Sequence, residues 1–288
     1  MKIEQFLISD GAKFSVKDHP TEVKSEFDKN GAEAQLQANV KRISELQDIL
    51  YAKDEEALLI IFQAMDAAGK DGAIEKVFSG VNPQGCQVTS FKQPSTEELD
   101  HDYLWRCVKE LPERGKIGVF NRSHYEEVLV VRVHPEILAA QHLPTAVKKD
   151  KDLWKTRFRQ IRDFERHVNE NGTHVIKFFL NVSKAEQKRR FLSRIEEPAK
   201  NWKFSLGDVK ERGHWDEYMD AYSDAIGATS TKDSPWYVIP ADKKWFARLA
   251  ISEVILQKLE SMKLAYPQLP KDQLTVLAEA RKTLEEEQ

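Results

Sequence analysis

The sequence predicts an α/β fold built on a five-stranded parallel sheet, and three observations carry that expectation. Five short apolar runs, at 57–62, 86–91, 116–120, 174–182 and 236–242, alternate with segments of helical period. Such alternation is the pattern of a parallel sheet covered by helices. The first run leads directly into QAMDAAGKDG (63–72), a glycine–lysine turn that opens a helix. Polar clusters follow three of the runs, at 66–72, at 121–123 and at Asp242. The carboxyl ends of strands are where ligands of these sheets bind.

The elements follow in chain order. The first thirty residues are polar and irregular. From Ala32 onward Leu36, Val40, Ile43, Leu46 and Leu50 fall on one helical face. Residues 57–62, ALLIIF, are too short for a helix and read as a buried strand, with a helix over 70–79. CQVTSF (86–91) is the second strand. Ser95 and Glu98 form a capping-box pattern before a helix carrying Leu99, Tyr103, Trp105 and Val108, which Pro112 and Gly115 end. KIGVF (116–120) is the third strand. A long helix over 148–171 buries Trp154, Phe158, Ile161, Phe164 and Val168 and stops at Asn171–Gly172. After the fourth strand Ser183 and Glu186 cap a cation-rich helix. The fifth strand precedes helices over 243–262 and 271–286, and the charged tail KTLEEEQ is expected to fray. Residues 196–215 break the alternation. They are charged, contain Pro198, Gly207 and Gly213, and read as an irregular insertion suited to a lid. One domain over 1–288 is expected, with 1–56 as an N-terminal extension and helix and 183–215 as the lid region.

Bulk composition bounds the function loosely. The 288 residues suit one large α/β domain or two small ones, and 41% hydrophobic residues supply a sizeable core. A net charge of −3, from 44 basic and 47 acidic residues, names no partner by itself. Cys86 and Cys107 stand in no metal or redox spacing and are expected to be free, buried thiols in a reducing compartment. No apolar stretch has signal-peptide or membrane-span character, so a cytoplasmic protein is expected. The eight histidines form no zinc pattern, and no G-x-S-x-G elbow is present.

The chemistry starts at the glycine–lysine turn. The usual phosphate cradle is G-x-x-x-x-G-K-[ST]. Here Ala64 replaces the first glycine and Asp71 replaces the metal-binding hydroxyl. Gly69 still lets the backbone approach an anion at a helix start, and Lys70 adds a point charge. Asp66 offers a carboxylate on the same loop, which could hold magnesium in place of the missing hydroxyl. A glycine turn with solvated charges is the alternative; the strand before it and the helix after it favour phosphate. At the end of the third strand Asn121 can ligate but cannot take a proton. Arg122 beside it can bind phosphate oxygens in a fork, or can be an arginine on a surface turn. Between 188 and 203 lie Lys188, Arg189, Arg190, Arg194, Lys200 and Lys203. Singly these read as solvated cations; together they could line an anion channel. Nucleic acid is the rival ligand, disfavoured by the slightly negative net charge and the lack of a recognition motif.

QAMDAAGKDG, FNRSHYEEVLVVRV, RRFLSRIEEPAKNWKFSLGD and WDEYMDAY…TST…PWYVIPADKKW together resemble the polyphosphate kinase 2 family, most closely its class III members, which phosphorylate nucleoside mono- and diphosphates. The resemblance covers roughly residues 57–250. It implies a three-layer α/β/α fold like thymidylate kinase with a helical lid, and transfer of the terminal phosphoryl group of inorganic polyphosphate to adenine or guanine nucleotides with magnesium or manganese. It implies Asp66 as the metal carboxylate and Ala67, Ala68, Gly69, Lys70, Asp71 and Gly72 as the cradle. Arg122 and Arg132 fall at the family's arginine positions, and Arg189, Arg194, Lys200 and Lys203 in the segment facing the phosphates. Much of the family has FDRSWY where this chain has FNRSHY, so Asn121 replaces an aspartate and puts a second metal site in doubt. A neutral residue there fits broad acceptor use, and Glu126 is a further candidate for setting acceptor choice. The apolar faces of the N- and C-terminal helices leave room for a homo-oligomer, a dimer or tetramer, as is common in the family. An ATP-dependent kinase of the same fold, and a regulator that binds without turnover, are the rival readings.

Overall fold

A computed structural model describes residues 1–8 and 13–287 of the chain. Among these residues six strands form one sheet in the order β1-β6-β5-β2-β4-β3. They are β1 (Leu7–Ile8), β2 (Ala57–Gln63), β3 (Cys86–Ser90), β4 (Ile117–Asn121), β5 (Thr173–Asn181) and β6 (Trp236–Pro240). The five expected strands are mutually parallel. The sixth is a correction to the sequence reading. β1 lies in the polar first thirty residues, where the sequence shows no period, and pairs antiparallel with β6, Leu7 opposite Tyr237 and Ile8 opposite Trp236. Two residues carry no periodicity. Their strand is made by the edge they meet, where Ser230 Oγ also donates to Ile8 O at 2.7 Å.

β2 is central, with β4 on one side and β5 on the other, and all seven of its residues are buried. A strand covered on both faces needs the continuous apolar run that ALLIIFQ supplies. β3 is the opposite edge strand and is correspondingly half-exposed. Helices Lys29–Lys53, Lys70–Val77 and Lys244–Ser261 pack together as one layer. Helices Leu153–Glu170 and Trp215–Thr229 pack together as another. The connections place the turns after β2 and β4 next to each other at one end of the sheet.

Three further expectations change. The helix through Leu99 and Val108 is two short helices, Thr96–Leu99 and Trp105–Val108. The capping box forms: Ser95 Oγ accepts from Glu98 N at 3.2 Å and Glu98 Oε2 from Ser95 N at 2.7 Å. But Leu99 and Val108 stay exposed, so no apolar face sustains a longer helix. Asp102 Oδ1 instead accepts from Leu104 N at 2.9 Å and starts a new turn. Residues 196–215 are not irregular. They form Pro198–Lys203, Leu206–Glu211 and Arg212–His214, short helical turns joined to the preceding helix by Asn201 Nδ2, which donates to Arg194 O and Ile195 O, each at 2.8 Å. Cys107 is buried but Cys86 only half-buried; both are free. Burial pushes the Cys86 thiol up to about 11 and the Cys107 thiol up to about 12, which leaves both unreactive at neutral pH. Among the described residues no helix is long and apolar enough to cross a membrane.

Candidate active site

The loop after β2 is bent by two left-handed residues, Ala67 (φ 60°) and Gly69 (φ 109°). Glycine adopts that conformation freely; alanine is held there at some cost. Gly69 leads into helix Lys70–Val77. The first three N–H groups of this helix, at Lys70, Asp71 and Gly72, have no acceptor among the described residues and are available as anion donors. Lys70 is only 8% exposed, and its Nζ runs back beneath the loop to donate to Ala64 O at 2.8 Å. Burial pushes its ammonium below the usual lysine range, against the pull of Asp66.

The turn after β4 is laced to this loop. Arg122 (φ 65°) donates its N–H to Phe62 O at 3.0 Å. Its Nη2 donates to Asp66 Oδ1 at 2.8 Å, with 41% and 26% of the two side chains exposed. Asn121 Nδ2 donates to Asp71 Oδ1 at 2.6 Å. Glu126 stands in the next turn, His124–Val128, and is half-buried. Burial pushes its carboxyl up, opposed by Arg122 and Lys70. Asp66, Lys70, Asp71, Asn121, Arg122 and Glu126 therefore form one cluster.

Helix Lys184–Glu196 clamps the loop from outside. Arg190 Nη1 donates to Ala67 O at 3.0 Å and Ala68 O at 2.6 Å, and Nη2 to Ala241 O at 2.6 Å and Asp242 O at 3.0 Å. Gln187 Nε2 donates to Asp66 O at 3.0 Å. With its carbonyls at 66–68 tied back, the loop keeps its N–H groups as its unpaired polar groups. Beyond this helix, Asp208 accepts from Arg194 Nη1 at 3.2 Å. Its carboxyl is pushed up by burial and by Asp66, while Arg194, Arg122 and Lys70 pull the other way. Asp208, on the 196–215 segment, is thus within electrostatic reach of the cluster.

The remaining residues singled out in the sequence lie outside it. Arg132 Nη2 bonds Asp224 Oδ2 at 2.6 Å. Arg189 is exposed and paired with Glu186 at 2.6 and 2.7 Å. Lys200 pairs with Glu197 at 2.5 Å, and Lys203 lies over the Trp202 ring at 4.8 Å. Gln187 and Asp208 carry no signal in the sequence reading, and Arg190 appears there only as one of six cations of a possible anion channel, not as the clamp on the loop. Gln187, Arg190 and Phe191 share the buried face of their helix, so helical phase could have separated Arg190 from Arg189. Nothing local marks Asp208.

The donor set fits a hard cation. Asp66 spends Oδ1 on Arg122, while its Oδ2 and the Asn121 Oδ1 have no partner among the described residues. Among the described residues no three His, Cys, Asp or Glu side chains converge there. A cation would thus take one carboxylate and complete its shell with phosphate oxygens and water, the habit of magnesium.

Comparison with known proteins gives a consistent picture. The model of the family "Polyphosphate kinase 2 (PPK2)" matches residues 26–267. The ADP-polyphosphate phosphotransferase of Rhodopseudomonas palustris is 54% identical over 269 residues, 93% of each chain. The AMP/ADP-polyphosphate phosphotransferase of Meiothermus ruber is 41% identical over 92% of this chain and 96% of its own. The crystal structure of polyphosphate kinase 2 from Arthrobacter aurescens superposes with a TM-score of 0.88 at 41% identity, covering 98% of this chain and 96% of the other. The chain belongs to the polyphosphate kinase 2 family.

Proposed function

We propose that this protein transfers the terminal phosphoryl group of inorganic polyphosphate to AMP and ADP, making ADP and ATP, reversibly and with magnesium or manganese bound at Asp66. The observation that carries this reading is the convergence of Lys70, the free N–H groups of the loop and the Asp66–Arg122 pair at the ends of β2 and β4, in a chain of this family.

Phosphoryl transfer needs alignment and charge neutralisation more than covalent help. The loop N–H groups and Lys70 would hold the transferring phosphoryl group. Arg122, fixed by Asp66 and by its own backbone bond to Phe62, would grip oxygens on donor or acceptor. The acceptor phosphate is already ionised, so no strong general base is needed, and neutral Asn121 is no obstacle. A bound magnesium supplies positive charge to the phosphate oxygens in flight; Asp66 Oδ2 and Asn121 Oδ1 are the side-chain oxygens that would hold it. The lid would exclude water and suppress hydrolysis.

Use of both acceptors rests on Asn121, which adds no negative charge where an acceptor phosphate would lie. The Rhodopseudomonas palustris relative is named for ADP alone, so initial rates with AMP and with ADP, polyphosphate as sole donor, decide the point. Comparable rates support broad acceptor use; turnover of ADP only would contradict it. Free, unreactive thiols support a cytoplasmic setting. The exposed Leu274, Leu277 and Leu284 on helix Lys271–Glu286 support self-association.

A further inference from the structure

WDEYMDAY (215–222) has no role in the chemistry of the phosphate loop and the turn after β4 as derived above. It opens helix Trp215–Thr229, which packs against the turn His124–Val128 that carries Glu126. Its last residue, Tyr222, is 4% exposed. The ring lies on Phe179 of β5, with centroids 4.4 Å apart. Phe179 stands opposite Gln63, the last residue of β2 before the phosphate loop. Residues in register on neighbouring strands share a face of the sheet, so the ring is seated beside the start of that loop. The Tyr222 hydroxyl has no hydrogen-bond partner among the described residues, and it is not one of their orphaned buried atoms. It therefore keeps a contact with solvent from an otherwise buried side chain. Asp66, Arg122 and Glu126 lie within its electrostatic reach. Two neighbouring tyrosines are built differently. Tyr125 hydroxyl bonds Glu165 at 2.8 Å and Thr229 at 2.9 Å, and Tyr218 hydroxyl donates to Glu211 at 2.6 Å. Each spends its hydroxyl inside the fold, as a buried phenol normally does. Tyr222 does not, and the charged groups around its hydroxyl are those of the active site. Burial, with Glu126 adding to it, pushes this phenol well above its ordinary range. It stays protonated, and an anion is the partner that a free O–H donor suits.

We propose that Tyr222 is a further catalytic residue, whose hydroxyl donates a hydrogen bond to a phosphate oxygen of the nucleotide acceptor held at Arg122. The proposal rests on the phosphoryl-transfer reading of the site and deepens it. Arg122 and Glu126 both come from the turn after β4, the side of the site given to the acceptor, whereas the loop N–H groups serve the transferring unit. A hydroxyl free of internal partners takes up a phosphate oxygen without breaking a bond within the protein. Its ring, fixed on Phe179, leaves it little freedom to lose on binding.

The test is Tyr222→Phe, which removes the hydroxyl and keeps the ring, assayed with magnesium and inorganic polyphosphate against varied AMP or ADP. The kcat/KM for both acceptors should fall about tenfold or more, the scale of one hydrogen bond to a charged group. The KM for polyphosphate at saturating acceptor should stay constant. Stability in denaturant should not fall, because no internal bond is lost. Tyr125→Phe is the control: it should lose stability and keep its kcat/KM per folded molecule. Unchanged acceptor kinetics in Tyr222→Phe would overturn the proposal. So would a change confined to the polyphosphate KM, or a loss of stability large enough to account for the lost activity. Absence of turnover in the unaltered protein is a separate result: it would remove the phosphoryl-transfer reading, and the proposal with it.

Discussion

Two charged networks lie a few residues apart in this molecule and are built on opposite principles. Beneath the turn after β4, Lys177 of β5 pairs with Glu165 of helix Leu153–Glu170, and both side chains are essentially inaccessible to solvent. Lys177 Nζ also donates to Thr229 O at 2.9 Å. Tyr125 hydroxyl reaches Glu165 Oε1 at 2.8 Å and Thr229 Oγ1 at 2.9 Å, and Trp236 Nε1 donates to the same Thr229 oxygen at 2.9 Å. Only His124 is loosely held, its Nε2 3.6 Å from Glu165. At the end of the sheet, Asp66 and Arg122 are part-exposed, Lys70 borrows a carbonyl, and three N–H groups stand open. The first network spends its groups on itself. The second keeps donors and a carboxylate oxygen in reserve. The difference separates charge that fixes a fold from charge kept for a ligand, and it can be broken from either side.

The largest effect is expected at the open network. Asp66→Asn and Lys70→Ala should each lower turnover about 1,000-fold or more, the scale of losing a charged group from a phosphoryl-transfer site. Their melting temperatures should stay near that of the unaltered protein. Turnover within a few fold of normal would remove these residues from the chemistry.

The closed network should show the reverse. Lys177→Met leaves Glu165 buried without its cation and should cost about 3–5 kcal/mol of stability by denaturant unfolding. Activity per folded molecule should change little. A large loss of activity at unchanged stability would mean that this network reaches into the reaction.

Acid should distinguish the two as well. Burial pushes the Glu165 carboxyl up, but Lys177 and His124 together outweigh it and the net position is below the usual carboxylate range. A carboxyl lowered in the folded state adds stability above its unfolded pKa of about 4.3, and that stability is lost as pH falls through the folded value. Stability measured against pH should thus decline on the acid side, and the decline should be shallower in Glu165→Gln. An identical slope in the variant would contradict the pairing. The smallest effect is expected at Asn121→Asp, which should shift the AMP-to-ADP rate ratio several-fold; an unchanged ratio would take Asn121 out of acceptor choice.

The same contrast explains what could be read from the sequence. β2 and its loop were legible because a central strand must be uniformly apolar and a phosphate turn must be tight. Both demands act on neighbouring residues. Asp66, Lys70 and Arg122 were legible as strand-end polar groups for the same reason. β1 was not, because two residues bear no period and their order comes from β6, more than two hundred positions away. Nor was the division of labour along 188–203, since charge alone does not reveal that Arg190 turns inward to four carbonyls while Arg189 faces solvent. The Lys177–Glu165 pair shows in sequence only as a lysine interrupting an apolar strand. Its meaning depends on a helix packed against that strand.

The central claim is that the open network turns over polyphosphate. The most direct measurement is an ATP-free mixture of purified protein, magnesium, inorganic polyphosphate and AMP, resolved by chromatography, with Asp66→Asn run in parallel. ADP and then ATP are expected from the unaltered protein and almost none from the variant. No product from polyphosphate, with product once ATP is offered as donor to AMP, would contradict it and assign the site to an ATP-dependent kinase.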